Sequence, residues 1–175
     1  VVESAPHVFY AASSTGGLWK TTNNGTTFTP LFSNEGTHSL GAVAVHQRDT
    51  AIVWLGTGER ANRQSSSWGD GVYLSRDGGR SWRNVGLRAS AHIGRIVLHP
   101  QETDVAYVAA MGQLWGPNEE RGLYRTRDGG ASWQRILHVN ENTGVVDVAM
   151  DPRDPNILYA ASYQRRRTSF GFDGG

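Results

Sequence analysis

Cysteine is absent from the 175 residues, so neither a disulfide nor a thiolate metal site contributes to the fold. No apolar run approaches the about 20 residues that a membrane helix needs, and no insertion into a membrane is expected. Neither sign of charge dominates. The 17 Lys and Arg against 16 Asp and Glu leave +1, too weak a field to select nucleic acid or an anionic membrane. The opening residues, Val1-Val2-Glu3-Ser4, lack the basic start and apolar stretch of a signal peptide. No segment carries a 3.6-residue apolar period, so helices are not expected. The six histidines (His7, His38, His46, His92, His99 and His138) have no metal-ligand spacing. There is no phosphate-binding glycine loop and no nucleophile–base constellation. No cofactor and no metal are expected, calcium at Asp151-Pro152-Arg153-Asp154-Pro155 being a minor alternative.

What the chain has in quantity is glycine, 22 residues, with six tryptophans, the composition of short strands and tight turns. The glycines recur in register. Gly71-Val72-Tyr73-Leu74-Ser75-Arg76-Asp77-Gly78-Gly79-Arg80-Ser81-Trp82 returns as Gly122-Leu123-Tyr124-Arg125-Thr126-Arg127-Asp128-Gly129-Gly130-Ala131-Ser132-Trp133. A looser copy precedes both, Gly17-Leu18-Trp19-Lys20-Thr21-Thr22-Asn23-Asn24-Gly25-Thr26-Thr27-Phe28, and the spacings are 54 and then 51 residues. Such a period holds four short strands and their loops. Gly41-Ala42-Val43-Ala44-Val45-His46, Gly94-Arg95-Ile96-Val97-Leu98-His99-Pro100 and Val145-Val146-Asp147-Val148-Ala149-Met150-Asp151-Pro152 form one class of apolar strand. Ala51-Ile52-Val53-Trp54-Leu55-Gly56, Asp104-Val105-Ala106-Tyr107-Val108-Ala109 and Asn156-Ile157-Leu158-Tyr159-Ala160-Ala161 form a second, which also includes His7-Val8-Phe9-Tyr10-Ala11-Ala12. β-Branched and aromatic runs bounded by Gly, Pro, Asp and Asn mark both as strands.

The repeating unit is strand A, strand B, strand C (Gly-x-Tyr-x-Ser/Thr), a box turn, and strand D. The expected fold is all-β: a β-propeller of four-stranded antiparallel blades spanning 1–175. Residues 7–32 are a partial blade with strands B, C and D, residues 39–86 and 92–138 are full blades, and 144–175 is a second partial blade, with A and B over 144–162. That makes thirteen strands, about three and a half blades of a larger ring. Its two open edges would attract the remainder of the ring or a second copy.

The box has a physical logic. The Asp77 or Asp128 carboxylate accepts hydrogen bonds from backbone N–H groups that the turn exposes. Gly79 and Gly130 take positive φ without a Cβ clash. Ser75, Thr126, Ser81 and Thr27 are placed to bond across the turn, and Trp82 and Trp133 are large apolar anchors. Asn23, Gly25 and Phe28 form a degenerate copy of the same turn. A carboxylate repeated at one turn position is scaffold, so Asp77 and Asp128 are not read as a catalytic pair.

These residues resemble the Asp-box, or bacterial neuraminidase repeat, which occurs in sialidases, sortilin-type receptors, xyloglucanases and photosystem assembly propellers. Longer stretches are similar to the bacterial sortilin-like propellers often labelled glycosyl hydrolases: Trp68-Gly69-Asp70-Gly71-Val72-Tyr73, His92 to Pro100, Leu114-Trp115-Gly116-Pro117-Asn118-Glu119-Glu120-Arg121-Gly122-Leu123-Tyr124, and Tyr163-Gln164-Arg165-Arg166-Arg167. The resemblance covers nearly the whole chain. It implies a propeller within a larger exported protein (periplasmic, cell-surface or secreted), and it implies no particular reaction. Sialidases usually carry an early Arg-Ile-Pro, whereas Val97 follows Arg95-Ile96 here. Xyloglucanases resemble Tyr10-Ala11-Ala12-Ser13-Ser14-Thr15-Gly16-Gly17 in their first blade but place a catalytic aspartate where this chain has Ser14. A hydroxyl cannot replace a general-base carboxylate.

In a propeller the B–C and D–A loops share the face around the central channel, opposite the box turns. The expected B–C loops are long: Gly58 to Gly69, Met111 to Arg121, and Ser162 onward. The expected ligand face comprises Glu59, Arg60, Arg63, Trp68, Asp70, Trp115, Asn118, Glu119 and Arg121. Aromatic faces flanked by polar groups suit sugars or extended peptides. The first functional reading is therefore a scaffold binding a glycan or a peptide or protein ligand. The alternative is a glycoside hydrolase with a carboxylate pair in the cleft, for which Glu59 and Glu119 are the candidates. Arg165-Arg166-Arg167 reads as a solvated basic loop, with contact to phosphate or acidic sugar as the alternative.

Overall fold

The computed structural model describes all 175 residues. The strands form four antiparallel sheets. The first holds β1 (Phe9–Ser13), β2 (Gly17–Thr21) and β3 (Thr29–Pro30). The second holds β4 (Leu40–Val45), β5 (Val53–Thr57), β6 (Val72–Ser75) and β7 (Arg83–Gly86). The third holds β8 (Ile93–Leu98), β9 (Ala106–Ala110), β10 (Gly122–Thr126) and β11 (Gln134–Leu137). The fourth holds β12 (Thr143–Met150), β13 (Leu158–Arg167) and β14 (Phe172–Gly174). Within each sheet the strands pair in chain order. The A strands β4, β8 and β12 pack side by side, which is the radial arrangement of a β-propeller. The single helical element is one 3-10 turn, Arg88–Ser90, and no helix is long and apolar enough to cross a membrane.

The fourth sheet departs from the sequence reading, which ended its strands at Ser162. β13 runs ten residues, to Arg167, and folds back so that residues 165–167 pair with 172–174. The chain thus has fourteen strands, and the expected loop from Ser162 is largely a hairpin. Gln164-Arg165-Arg166-Arg167 has no β-branched or aromatic residue to mark it. It is held extended by its ladder and by the hydrogen bonds of its arginine side chains.

The core lies between sheets. Alternate side chains of a strand point to opposite faces, and the middle strands β5 and β9 are covered on both. In β5, Val53 and Leu55 join Tyr10, Leu18, Phe32 and Tyr73 between the first two sheets, while Trp54 joins Val85, Ile96 and Val108 between the second and third. In β9, Tyr107 and Ala109 face the fourth sheet, beside Val145 and Val148. Burial on both faces is why these strands read as unbroken apolar runs. The A strands come very close at their bulges. A Cβ on Gly41 would stand 2.1 Å from the Ile93 oxygen, and one on Gly94 2.4 Å from the Val146 oxygen, so only glycine fits.

The three box turns share one hydrogen-bond pattern. Asp77 Oδ1 accepts from the Arg80 and Ser81 amides (both 2.9 Å) and from the Ser75 hydroxyl (2.8 Å), and Oδ2 accepts from the Ser81 hydroxyl at 2.6 Å. The Ser75 hydroxyl oxygen in turn accepts from the Gly79 amide at 2.8 Å. Asp128 repeats this with Ser132 and Thr126. Asn23 keeps the turn with one bond reversed: its Oδ1 accepts from the Thr27 amide and the Thr21 hydroxyl, while its Nδ2 donates to the Thr27 hydroxyl. The Ser81 bonds, side chain and then backbone, hold the Asp77 carboxyl well below the usual carboxylate range. The equivalent bonds from Ser132 take Asp128 down to about 2.

Each box tryptophan reaches into the preceding blade. The Trp82 indole N–H donates to the Leu31 carbonyl at 3.0 Å, and that of Trp133 to the Val85 carbonyl at 2.7 Å. Leu31 and Val85 stand three residues after the aromatic of the previous box. The rings pack edge-to-face, Trp82 on Phe32 (5.4 Å between centroids) and Trp133 on Trp54 (6.2 Å). Box glycines back onto the same residues. A Cβ on Gly130 would lie 2.7 Å from Val85 Cβ, and one on Gly79 2.8 Å from Leu31.

Candidate functional site

On the face opposite the boxes, the loop joining β5 to β6 folds around Glu59. That carboxylate is buried, pairs with Arg63 at 2.5 Å and accepts from the Ser67 amide at 3.1 Å. A Ser66 hydroxyl bond to the Ala61 carbonyl (2.7 Å) tightens the same turn. Asp70 closes the loop, accepting from the Tyr73 hydroxyl at 2.6 Å while its amide donates to Thr57 Oγ1 at 2.8 Å. Burial first, and then Asp70, pushes the Tyr73 phenol upward. Trp68 is 54% exposed, and Arg60 on the same loop is exposed as well.

The loop joining β9 to β10 closes over Arg121, which is fully buried. Its guanidinium donates to the carbonyls of Met111, Gln113 (2.5 Å) and Gly116 (3.2 Å) in its own loop. It also donates to those of Glu141 (2.7 Å) and Arg165 (3.0 Å) in the next blade. Gly112, at φ +74°, leaves room for this side chain. Trp115 is 39% exposed on the loop, Glu119 is exposed, and Asn118 Nδ2 donates to the Ala89 carbonyl at 2.7 Å.

Arg165 is the second buried brace. It donates to Asn62 Oδ1 (2.6 Å), the Ala61 carbonyl (2.6 Å) and the Gly112 carbonyl (3.3 Å). Arg167 adds bonds from its side chain to the Asn62 carbonyl and from its amide to the Leu114 carbonyl, both 2.9 Å. Through Arg121 and Arg165 the B–C segments of three successive blades are tied into one unit. Burial lowers both guanidinium pKa values to about 10, so both stay charged at neutral pH. Beneath them lies His92, fully buried with neither ring nitrogen in a hydrogen bond. Burial, and then the Arg165 and Arg121 charges, push this imidazole down to about 3.

Two expectations are corrected by these positions. The basic run is no solvated loop, because Arg165 is enclosed and its neighbours are bonded to Asn62 and Asn142. Glu59 and Arg121 are enclosed as well, the first bonded within its own loop and the second to its own loop and the next blade, whereas ligand-face side chains were expected at the surface. Trp68, Trp115, Arg60, Arg63 and Glu119 remain exposed, and Asp70 is partly so. The sequence reading missed His92 as a buried neutral base, Asn62 as an acceptor, and Phe170, which stands fully exposed at the tip of the β13–β14 hairpin. Gly171 after Phe170 was the only local sign of that turn. No group of three or more His, Asp or Glu side chains converges as metal ligands would. What the face offers chemically is exposed indole surface on braced loops, with hydrogen-bonding and charged groups around it.

Residues 70–173 match the family described as Sortilin, neurotensin receptor 3 (Sortilin-Vps10). None of the curated proteins compared with the chain matches it. Among solved structures it is similar to the GH74 enzyme of Niastella koreensis (TM-score 0.71, 20% identity, 94% of this chain and 24% of that one). It is also similar to the GH74 xyloglucanase from Xanthomonas campestris (0.67, 20%, 94% and 26%). A third similar structure is YCF48 bound to D1 peptide (0.57, 15%, 97% and 51%). The chain spans about a quarter of each GH74 structure and about half of the third. At these identities the likenesses establish the propeller fold alone.

Proposed function

Because the chain belongs to the Sortilin, neurotensin receptor 3 family, we propose that it is a binding scaffold that takes an extended ligand, glycan or peptide, across its B–C loop face. The carrying observation is that Trp68 and Trp115 stand exposed on loops that buried arginines hold rigid, whereas Trp54, Trp82 and Trp133 pack between sheets. Large aromatics kept in water on a braced scaffold are an affinity surface, since stacking costs them little further ordering. The chemistry of the ligand class follows. A pyranose or a proline-rich or aromatic peptide presents flat apolar faces with hydrogen-bonding edges, matching indoles on loops that also carry Arg60, Asp70, Asn118 and Glu119. One fold neighbour is a xyloglucanase and another is bound to a peptide, and both ligand classes belong to the proposal. Export to the periplasm, cell surface or medium is part of the same reading, and fractionation of the producing cells tests it.

The decisive experiment is a glycan and peptide binding screen with released reducing sugar assayed in the same wells. Binding without sugar release, weakened at least tenfold by Trp68→Ala or Trp115→Ala, is the expected result. Binding untouched by both substitutions refutes the face assignment. Sugar release abolished by Glu119→Gln replaces the scaffold with a hydrolase.

A further inference from the structure

The seam between the first and second sheets and the seam between the second and third use the same repeat positions, yet differ in one ion pair. In the later seam the first box glycine, Gly129, donates its amide to the Asp104 carbonyl at 3.0 Å, and the Asp104 carboxylate pairs with Arg76. In the earlier seam Gly78 donates in the same way to the Ala51 carbonyl at 2.8 Å. Ala51 therefore stands where Asp104 stands and brings no carboxylate. The cation is nonetheless present. A Cβ on Gly129 would meet Arg76 Nη2 at 2.6 Å, and one on Gly78 would meet Lys20 Nζ at 3.4 Å. Lys20 is held there by the Tyr10 ring, 5.0 Å from Nζ, and by a bond to the Gly78 carbonyl at 3.4 Å. It belongs to no salt bridge, although a half-buried charge is costly to leave without a counter-ion.

Around Lys20 the seam opens into a cleft of about 350 Å³, lined also by Thr22, Thr27, Thr29, Asp77 and Arg80, with Leu31 as its one apolar wall. The counterpart in the later seam, lined by the equivalent Leu74, Arg76, Ser81 and Arg83, holds about 200 Å³. Arginines replace Thr22 and Thr29 there, and Ala131 replaces Arg80. Both walls of the earlier cleft are complete C–D hairpins, β2–β3 and β6–β7, so its room comes from side-chain size. Arg80 also has no salt bridge, its Nε donating to the Asp77 carbonyl at 3.0 Å. The oxygens of Asp77 are already taken up by Ser75, Arg80 and Ser81. Asp128 holds the same box position in the seam where Asp104 stands, so a box carboxylate tolerates a second one nearby.

We propose that this cleft is a binding site for a hydroxylated carboxylate, the chemistry of a sugar acid. The ligand's carboxylate takes against Lys20 the place that Asp104 takes against Arg76, and Arg80 is the second cation. The exposed Thr22 and Thr29 hydroxyls meet the hydroxyls of the ligand. Small-molecule sites begin at about 300 Å³, so the cleft has room for one such residue. It lies on the box side of the molecule, and neither its geometry nor its ligand depends on the reading of the B–C loop face.

The probes are D-glucuronate, D-glucose and inorganic phosphate, titrated into the whole chain and followed by calorimetry and amide chemical shifts. The expected result is saturable one-to-one binding of glucuronate that moves the Gly78 and Thr22 amides, weaker binding of phosphate, and none of glucose. Lys20→Met should weaken glucuronate at least tenfold. Ala51→Asp installs the carboxylate that the same turn already carries at residue 104, so it should fold, pair with Lys20 and weaken glucuronate as much. Absence of saturable glucuronate binding overturns the proposal, as does binding left unchanged by either substitution. Phosphate or glucose held as tightly as glucuronate overturns the ligand class. A glucuronate trimer held more tightly than the monomer supports the site with the carboxylate on a polymer, and equal affinity supports it with a free acid.

Discussion

Removing the Trp133 indole should cost far more than removing the equivalent aromatic of the first box. Trp133→Ala deletes a hydrogen bond to the Val85 carbonyl at 2.7 Å, worth about 1 kcal/mol net. It also deletes an edge-to-face pair with the buried Trp54, worth about 1 kcal/mol beyond burial. It further uncovers Val85 and Gly86, whose apolar contact adds roughly 1–2 kcal/mol. The sum is about 3–4 kcal/mol, consistent with the range for large-to-small core changes of about 3–5 kcal/mol. Trp133→Phe keeps most of the ring and loses the donor, so about 1 kcal/mol is expected. Phe28 stands at the same box position, is 43% exposed and touches Phe9 of its own blade. Phe28→Ala should therefore cost about 1 kcal/mol or less. Urea unfolding of the four proteins, compared at equal m-value, reads these differences directly. Equal losses for Trp133→Ala and Phe28→Ala would show that the aromatic acts within its own hairpin, and the inter-blade contact would carry none of the energy.

Further outcomes follow from the same geometry. As pH falls through 6.5 the unfolded chain protonates His92, while the folded one resists to about 3. Stability should therefore fall with pH, by up to about 3 kcal/mol at pH 4.5; His92→Leu should flatten this limb of a urea-midpoint profile, and a flat wild-type profile would contradict it. Below 3.8 the lowered Asp77 and Asp128 carboxyls add a separate acid loss, steeper than in Asp128→Asn. Gly130→Ala combines φ +82° with a Cβ 2.7 Å from Val85 and should cost about 3 kcal/mol in the same denaturation assay. Arg165→Met removes three donors from Ala61, Asn62 and Gly112; exchange at residues 58–70 should quicken, and unchanged protection there would remove Arg165 from the loop brace.

The parts legible in the sequence are those whose partners lie close by in the chain. A box turn completes its hydrogen bonds within about a dozen residues, so Ser75, Asp77, Gly79 and Ser81 announce their geometry. The B strands β5 and β9 announce theirs because burial on both faces leaves unbroken apolar runs. Arg121 and Arg165 were misread because, the Asn62 side chain apart, their partners are backbone carbonyls, among them those of residues 61, 112, 113, 116 and 141. Carbonyls carry no residue-type signal, and an arginine without a nearby acid reads as a surface group. Trp68 and Trp115 were placed on loops correctly, yet their exposure depends on how neighbouring loops fold.

The tryptophan that binds the blade before it also gives the fold an order in time. A chain leaving the ribosome N-terminus first completes the Leu31 carbonyl before Trp82 is made, and the Val85 carbonyl before Trp133. Each box thus emerges to an acceptor already in place. Had the indole pointed forward, each newly made blade would wait with a large aromatic unsatisfied until the next 50 or so residues were translated. Backward reach lets a repeat protein grow one blade at a time with its stickiest side chain shielded at every stage of synthesis.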